Sequence, residues 1–274
     1  MNKDVGKAPK GAQGVITRGK TAKNRLRRVD TFVLKYAPEL LNKAESLYID
    51  LGYGAEPTTT LESAQRFRHL NPSLKVIGVE IDPERVEIAR TFEDDITHFR
   101  IGGFNYPLEK DETPTLIRAF NVLRQYEDED VIPAWQQMCA PLAQSGLLIE
   151  GTSSPYGKIW TANLLRKCGE EVVYEGFLFS TNFRAGFSPD IFQPYLTKNF
   201  IHEIGTGTPI DRFMEEWKRA CAQTIPLKTW GLRQWFTASA KVLAENGYDV
   251  LLKKTFLKQG FLLWKHKCPP MADT

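Results

Sequence analysis

Short apolar runs alternate with helix-like stretches between residues 46 and 150, and this alternation limits the fold more than any other feature. The first run, residues 46–51, leads through a glycine turn into a helical pattern at residues 58–70. A second run, residues 75–81, is followed by a helix that opens at Asp82. Strand, helix and strand in this order are the signature of a βαβ unit, which pairs its two strands in parallel.

Three more apolar runs extend the pattern and bring the number of candidate strands to five. They span residues 97–101, 115–120 and 146–150, and a helical pattern at residues 128–143 precedes the last of them. Strands joined by helices in this way predict an open, mostly parallel α/β sheet. Ligands of such sheets bind at the carboxyl ends of the strands.

The C-terminal half departs from this alternation. Residues 158–183 have the pattern of an antiparallel hairpin, and helical patterns follow at residues 209–224 and 229–246. We interpret the segment from about 151 to 229 as an inserted β-hairpin and helical cap that covers the substrate side of the crevice.

The end of the chain predicts a second hairpin. Residues 248–257 and 260–266 have the pattern of two strands joined by a tight turn. We therefore expect one main domain, residues 24–274, which closes on an antiparallel edge.

A basic arm precedes this domain. Residues 1–28 carry nine Lys and Arg against the single acid Asp4, whereas the rest of the chain has more acids than bases. Residues 1–23 have few large apolar side chains, so we expect a flexible arm. The arm could follow a phosphate backbone, fold over the crevice as a lid, or be a solvated tail, and we favour the lid.

Composition narrows the class of protein. The chain is 42% hydrophobic and 25% charged, as globular domains are. It has no run of about eighteen apolar residues and no apolar leader, so we expect a soluble, cytoplasmic protein without a membrane partner. The four cysteines stand far apart without a CxxC pair, so neither a disulfide framework nor a metal site is predicted.

The segment 48–55 carries the clearest chemical signal. An apolar strand ends near Asp50, and two glycines, Gly52 and Gly54, follow with one residue between them. Glycines let the main chain approach a ligand closely, and the following helix N-terminus frames a crevice. Glu80 is predicted at the tip of the next strand, where its carboxylate can accept hydrogen bonds from two ribose hydroxyls. This pattern predicts a nucleotide-like ligand.

The third glycine of the dinucleotide fingerprint is missing, because Pro57 stands where GxGxxG requires glycine. A pyrophosphate cofactor is therefore disfavoured. An acid such as Asp50 would repel a diphosphate but suits a cationic amino group, bound directly or through water. The pattern favours S-adenosylmethionine over NAD.

Residues 46–150 resemble the class I S-adenosylmethionine-dependent methyltransferases, and residues 248–266 are similar to the closing hairpin of that family. The sequence is most similar to a bacterial subgroup that shares the segments RGKTAKNRLRRVD, DLGYGAEPTTTLE and LIRAFNVLRQY. The resemblance implies a Rossmann-like, seven-stranded, mostly parallel sheet with an antiparallel C-terminal hairpin. It also implies methyl transfer by in-line displacement, with S-adenosylhomocysteine as product. Glu56, where the family often has glycine, departs from the pattern.

Site residues carry over from the family motif by motif. The implied cofactor contacts are Asp50, Gly52 and Gly54 in the loop, Glu80 at the ribose, Ile81, Phe104 and Asn105 near the adenine, and Asn121 at the methionine part and the substrate.

The methyl acceptor is not encoded in a motif. The segment 121–124 lacks the pattern of adenine-N6 enzymes, and no Pro-Cys pair supplies a cytosine-C5 nucleophile, so we expect a small-molecule acceptor at O, N or C. If a general base is used, Glu150 and His202 are the candidates. Candidate substrate or lid contacts are Arg18, Asn24, Arg25, Arg28, Arg184 and Lys198. Arg118 could also bind an anionic substrate or have a packing role.

Two other functions stay open. An NAD(P)-dependent oxidoreductase would be stabilised against heat by NAD. A non-catalytic protein that binds nucleic acid through the arm on a methyltransferase-like scaffold would bind with a steep salt dependence. The oligomeric state is left open by the sequence.

Overall fold

An eight-stranded sheet forms the centre of the protein. The structure is a computed structural model that describes residues 21–266. The strands, in chain order, are β1 (Leu47–Leu51), β2 (Lys75–Glu80), β3 (Thr97–Ile101), β4 (Leu116–Phe120), β5 (Leu147–Ser153), β6 (Ile159–Cys168), β7 (Glu171–Thr181) and β8 (Phe261–Trp264). Their order across the sheet is β3-β2-β1-β4-β5-β6-β7-β8.

Helices connect the strands and cover both faces of the sheet. They are α1 (Arg27–Tyr36), α2 (Thr58–Arg68), α3 (Pro83–Arg90), α4 (Val131–Cys139), α5 (Lys198–Ile201), α6 (Pro209–Gln223), α7 (Leu232–Glu245) and α8 (Lys254–Leu257). Short 3-10 helices lie at Pro38–Leu40, Leu123–Gln125, Asp128–Asp130, Pro189–Tyr195 and Ile225–Trp230.

The first five strands are parallel to one another. Every residue of β1, β4 and β5 is buried, which explains their nearly continuous apolar sequence. The order β3-β2-β1-β4-β5 is that of a doubly wound nucleotide-binding sheet. The prediction of a Rossmann-like α/β fold is therefore confirmed.

The predicted number of seven strands is wrong, because the hairpin at residues 158–183 belongs to the main sheet. β6 pairs antiparallel with β5 over the whole length of β5, and β7 pairs antiparallel with β6. The hairpin thereby covers the free edge of the parallel sheet instead of forming a cap above it. An exposed sheet edge has unpaired main-chain groups, and pairing with the hairpin satisfies them.

The predicted C-terminal hairpin is wrong in its first arm. Of residues 248–257, only Val250 forms a bridge with the final strand, and residues 254–257 are the one-turn helix α8. Phe256 and Leu257 are buried on that helix, and their packing against the sheet accounts for the helical turn. The final strand β8 pairs with β7 instead.

Two layers of apolar side chains hold the helices on the sheet. On one face, α1 and α2 pack over β1, β4 and β6 around Phe32, Tyr48 and Trp160. On the other face, α4 packs over β1 and β5, and α6 and α7 pack over β7 and β8. Within residues 21–266, no helix has the length and apolar character needed to cross a membrane.

Candidate functional site

The predicted glycine turn connects β1 to α2 at the carboxyl end of the sheet. Gly52 and Gly54 have φ angles of +70° and +93°, a region that L side chains seldom adopt. The Gly52 N–H donates to the Val79 carbonyl oxygen of β2 at 2.7 Å. A Cβ at Gly52 would lie 2.8 Å from a methyl group of Val122, which follows β4. The turn is therefore fixed between the ends of β2 and β4.

Glu80 is the last residue of β2, and its carboxylate is hydrogen-bonded to the glycine turn. One oxygen accepts the Gly54 N–H at 2.9 Å, and the other accepts the Ile81 N–H at 3.0 Å. Burial raises the pKa of Glu80, against the effects of the Gly54 N–H and the Arg85 guanidinium. A carboxylate has about four acceptor positions, so Glu80 keeps capacity for hydroxyl donors of a ligand.

Asp50 lies one residue before the end of β1 and is buried beneath α2. Its carboxylate accepts hydrogen bonds from the Thr59 and Thr60 hydroxyls at 3.0 and 2.8 Å. Arg118, its register partner on β4, adds two more at 3.1 and 2.8 Å. Most of the acceptor capacity of Asp50 is thus used inside the protein, where it holds the start of α2 on the sheet.

Arg118 is the centre of a buried ionic cluster that sequence reasoning missed. Its guanidinium donates to Asp50 and, at 2.7 Å, to Asp30 of α1. Asp30 also accepts from Ser63 and from Arg66 of α2. Burial lowers the pKa of Arg118, but the charges of Asp50 and Asp30 raise it further, so it lies above its ordinary value. Burial has the larger effect at Asp30 and raises its pKa.

The residues expected near an adenine follow β2 and β3. Ile81 is partly exposed, and Asn105 is exposed. Phe104 is buried, and its ring lies 5.3 Å from that of Tyr126. The Gly102 N–H donates to the Glu80 carbonyl oxygen, which keeps the loop after β3 beside the end of β2.

Asn121 joins the ends of β4 and β5. Its backbone has a φ of +60°, and its side-chain oxygen accepts the Ser153 N–H at 2.9 Å. The Ser153 hydroxyl is buried and has no hydrogen-bond partner within residues 21–266. A buried hydroxyl without a partner is costly, and its place at the strand ends is suited to a ligand.

The two candidate bases have different surroundings. Glu150 is buried in β5 and accepts a hydrogen bond from Asn163 of β6 at 2.8 Å. Burial raises the pKa of Glu150 to about 7, against the effect of the Asn163 hydrogen bond. Asn163 in turn accepts from the Tyr174 hydroxyl and donates to the Asn199 oxygen. The sequence signal for this network was a lone Asn in an apolar strand.

His202 follows α5 and is exposed, with 59% of its side-chain surface accessible. Its Nδ1 lies 2.9 Å from Asp128, which also forms a 3.4 Å ion pair with Lys198. Arg184 is exposed in the turn after β7. The candidate base His202 and the predicted substrate contact Lys198 are thus brought together at Asp128, and the predicted substrate contact Arg184 is not.

The N-terminal segment 24–28 lies across the carboxyl edge of the sheet. Asn24 accepts from Arg66, and its N–H donates to Glu62, both on α2. Arg28 donates to the Ser180 hydroxyl and to two carbonyl oxygens at the ends of β7 and β8. Arg18, the remaining predicted contact, lies outside the described residues. Within residues 21–266, no group of three or more His, Cys, Asp or Glu could hold a metal ion.

Comparison with known proteins gives structural matches only. No protein-family model matches the chain. No curated protein matches it in sequence. Solved structures that match include the YcgJ protein from Bacillus subtilis, with 21% identity over 46% of this chain and 51% of that chain, at a TM-score of 0.35.

Two methyltransferases match to a similar extent. The N-methyltransferase NodS from Bradyrhizobium japonicum has 21% identity over 46% of this chain and 67% of that chain, at a TM-score of 0.33. Magnesium protoporphyrin IX methyltransferase from Synechocystis, solved with S-adenosylhomocysteine, has 16% identity over 47% and 54%, at a TM-score of 0.36. Scores this low do not establish a common fold, so the fold rests on the strand order given above.

Proposed function

We propose that this protein is a class I S-adenosylmethionine-dependent methyltransferase that acts on a small-molecule acceptor. One observation carries the proposal: the Gly52–Gly54 turn is bonded to the Glu80 carboxylate at the carboxyl ends of β1 and β2. In a doubly wound sheet this is the place where a nucleoside is bound. The turn supplies close main-chain approach, and Glu80 supplies acceptors for ribose hydroxyls.

The surroundings of the turn support this cofactor over a dinucleotide. Asp50 and Glu80 place two buried acids beside the turn, and Asp50 is balanced by Arg118. Pro57 precedes α2 where a third glycine would let a pyrophosphate approach the helix. A ligand with a sulfonium and an ammonium group avoids the repulsion that a diphosphate would meet. Asp50 contributes by fixing α2, and the turn with Glu80 contributes direct contacts.

When bound, the cofactor supplies an activated methyl group, so the protein has chiefly to align the acceptor. Glu80 would orient the nucleoside, and Ile81, Phe104 and Asn105 would border its base. Asn121 and the unpaired Ser153 hydroxyl at the ends of β4 and β5 would face the reacting groups. Glu150, with a pKa near 7, or His202 would accept the acceptor's proton where one must leave.

The domain plan is part of the proposal. Residues 24–274 would form the methyltransferase domain, preceded by the basic arm 1–23. Residues 182–229, which follow β7, would select the acceptor, and Asn24, Arg25 and Arg28 of the anchored segment would border it. Deletion of residues 1–23 is expected to reduce activity, and unchanged activity would exclude a lid role for the arm.

Calorimetric titration with S-adenosylmethionine and S-adenosylhomocysteine tests the cofactor. We expect both compounds to bind, and we expect Glu80→Ala to weaken their affinity by about 10- to 100-fold. The variant loses the two charge-assisted hydrogen bonds that the Glu80 carboxylate would accept from the ribose hydroxyls. Glu84→Gln, an exposed carboxyl in the first turn of α3, is the matched control and should bind as the wild type does. Folded wild-type protein that binds NAD but neither adenosyl compound would contradict the proposal.

A further inference from the structure

Arg25 lies at the carboxyl edge of the sheet and forms no ion pair with the residues that the structure describes. Its side chain is half-buried, and its Nε is shut off from solvent with no hydrogen-bond partner. No ion pair of Arg25 occurs with any residue in the range 21–266. Burial, together with the positive charge of Arg118, lowers the pKa of its guanidinium, against the effect of the Asp50 carboxylate. A desolvated cation without an anion is unfavourable, and a ligand anion would relieve the cost.

The main chain holds Arg25 in this place from two sides. The preceding residue, Asn24, is bonded to Glu62 and Arg66 of α2. The Arg25 carbonyl oxygen packs against Gly157 in the turn between β5 and β6, so closely that a Cβ there would lie 1.7 Å from it. Arg25 therefore lies between α2 and the turn that joins β5 to β6, at the carboxyl edge of the sheet.

The two neighbouring acids form their ion pairs with other arginines, and neither forms one with Arg25. Asp50 is paired with Arg118, and Asp30 is shared by Arg118 and Arg66. The second arginine of the segment, Arg28, has its own acceptors in three oxygens of β7, β8 and their flanking residues. Within residues 21–266, Arg25 is therefore left as a positive charge without an ion pair at the carboxyl edge of the sheet.

We propose that Arg25 binds a carboxylate of a ligand in this crevice through the paired N–H groups of its guanidinium. This geometry matches a carboxylate in two parallel hydrogen bonds. The inference rests on the proposed function and sharpens it: the carboxylate belongs either to the methionine part of the cofactor or to the acceptor, which would then be an anionic small molecule.

The affinities of two nucleosides show whether the cofactor supplies the carboxylate. S-adenosylhomocysteine carries a carboxylate, and 5′-methylthioadenosine has the same nucleoside and sulfur without it. If the cofactor supplies the carboxylate, Arg25→Gln weakens S-adenosylhomocysteine by about 10- to 100-fold and leaves 5′-methylthioadenosine unchanged. Arg27→Gln, an exposed arginine two residues away with the same loss of charge, should change neither.

If Arg25→Gln changes neither affinity, a second experiment tests whether the acceptor supplies the carboxylate. Phenylglyoxal modification of Arg25, followed by peptide mass spectrometry, is measured in wild-type protein saturated with S-adenosylhomocysteine. Protection by benzoate but not by its neutral analogue benzamide supports an anionic acceptor. Equal modification in benzoate and benzamide, together with unchanged affinities, overturns the proposal.

Failure of the proposed function gives a different result. Folded wild-type protein that binds no adenosyl compound would contradict the proposed methyltransferase function. Protection of Arg25 by benzoate and benzamide, measured on the free protein, then tests carboxylate binding by Arg25 separately. Arg25→Lys keeps the charge without the paired geometry, so it should restore part of the lost affinity. Circular dichroism of each variant verifies that it is folded.

Discussion

At the scale of single residues, Glu150 gives the protein a pH dependence of known sign. Its pKa is about 7 in the folded protein against an ordinary value of 4.5, because it is buried. Between these values the folded protein keeps a proton that the unfolded chain releases. The free energy of unfolding therefore falls as the pH rises from 4.5 to 7. From pH 5 to pH 7.5 this residue should account for about 2 to 3 kcal/mol.

Urea denaturation at the two pH values, on wild type and Glu150→Gln, measures this difference. The variant keeps an oxygen for the Asn163 hydrogen bond but has no proton to release. It should lose less stability than the wild type over the same interval. An equal loss in both proteins would assign the pH dependence to other groups.

The cluster around Arg118 makes a second prediction at this scale. Asp30→Asn removes one of two acids that balance a buried guanidinium, and breaking such a pair costs about 3 to 5 kcal/mol. Glu87→Gln removes a surface ion pair with Arg90 and should cost less than about 1 kcal/mol. The free energy of unfolding of both variants, from urea titration, tests the contrast, and equal costs would contradict it.

The sequence could predict Glu80 and the glycine turn because both depend on residues close together in the chain. It could not predict the partners of Asp50. Arg118 stands in an apolar strand, and its partner Asp30 is 88 residues away in a helix, so no local pattern connects them. The same holds for Glu150 and Asn163, which meet only because the hairpin completes the sheet.

At the scale of elements, two alanine substitutions test the contact between Gly157 and the N-terminal segment 24–28. Gly157 lies in the turn before β6 and Gly169 in the turn after it, both with φ near +65°. Alanine at either position therefore strains the backbone by about 1 to 2 kcal/mol. At Gly157 the new Cβ also meets the Arg25 carbonyl oxygen, whereas at Gly169 nothing lies within 4 Å. Gly157→Ala should therefore displace segment 24–28, and Gly169→Ala should not.

Limited trypsin digestion detects the displacement, because residues 23–28 contain several cleavage sites. Cleavage after Arg25 should be faster in Gly157→Ala than in wild type and unchanged in Gly169→Ala. Similar rates in both variants would mean that the Gly157 contact does not hold the segment.

At this scale, the sequence could predict the parallel strands but not the place of the β6 and β7 hairpin or the helix α8. Parallel strands with both faces buried have continuous apolar runs, so β1 to β5 were predicted within a few residues of their bounds. The position of the β6 and β7 hairpin depends on which sheet edge is free, and its own sequence does not carry that information. Residues 248–257 are too short an apolar stretch to separate a strand from the one-turn helix α8, which packing decides.

At the scale of the whole molecule, the proposed cofactor should stabilise the folded protein. A ligand at 100 times its Kd that binds only the folded state adds about 2.7 kcal/mol to the free energy of unfolding. For a chain of this size that raises Tm by roughly 5 °C. Differential scanning calorimetry with S-adenosylhomocysteine should show the rise in wild type, and the same concentration should have less effect on Glu80→Ala. No rise at saturation would contradict binding to the native state.

The long separation between Asp30 and Arg118 also bears on how the chain is made. Ribosomes add about 5 to 20 residues per second, so α1 is synthesised some 4 to 18 seconds before Arg118, which together with Arg66 balances the charge of Asp30. During that interval Val29, Phe32 and Val33 lack β4 and β6, two of the strands on which α1 packs. The nascent chain therefore carries an apolar helix face before all of its packing partners are made, and chaperones could act on this segment during that interval.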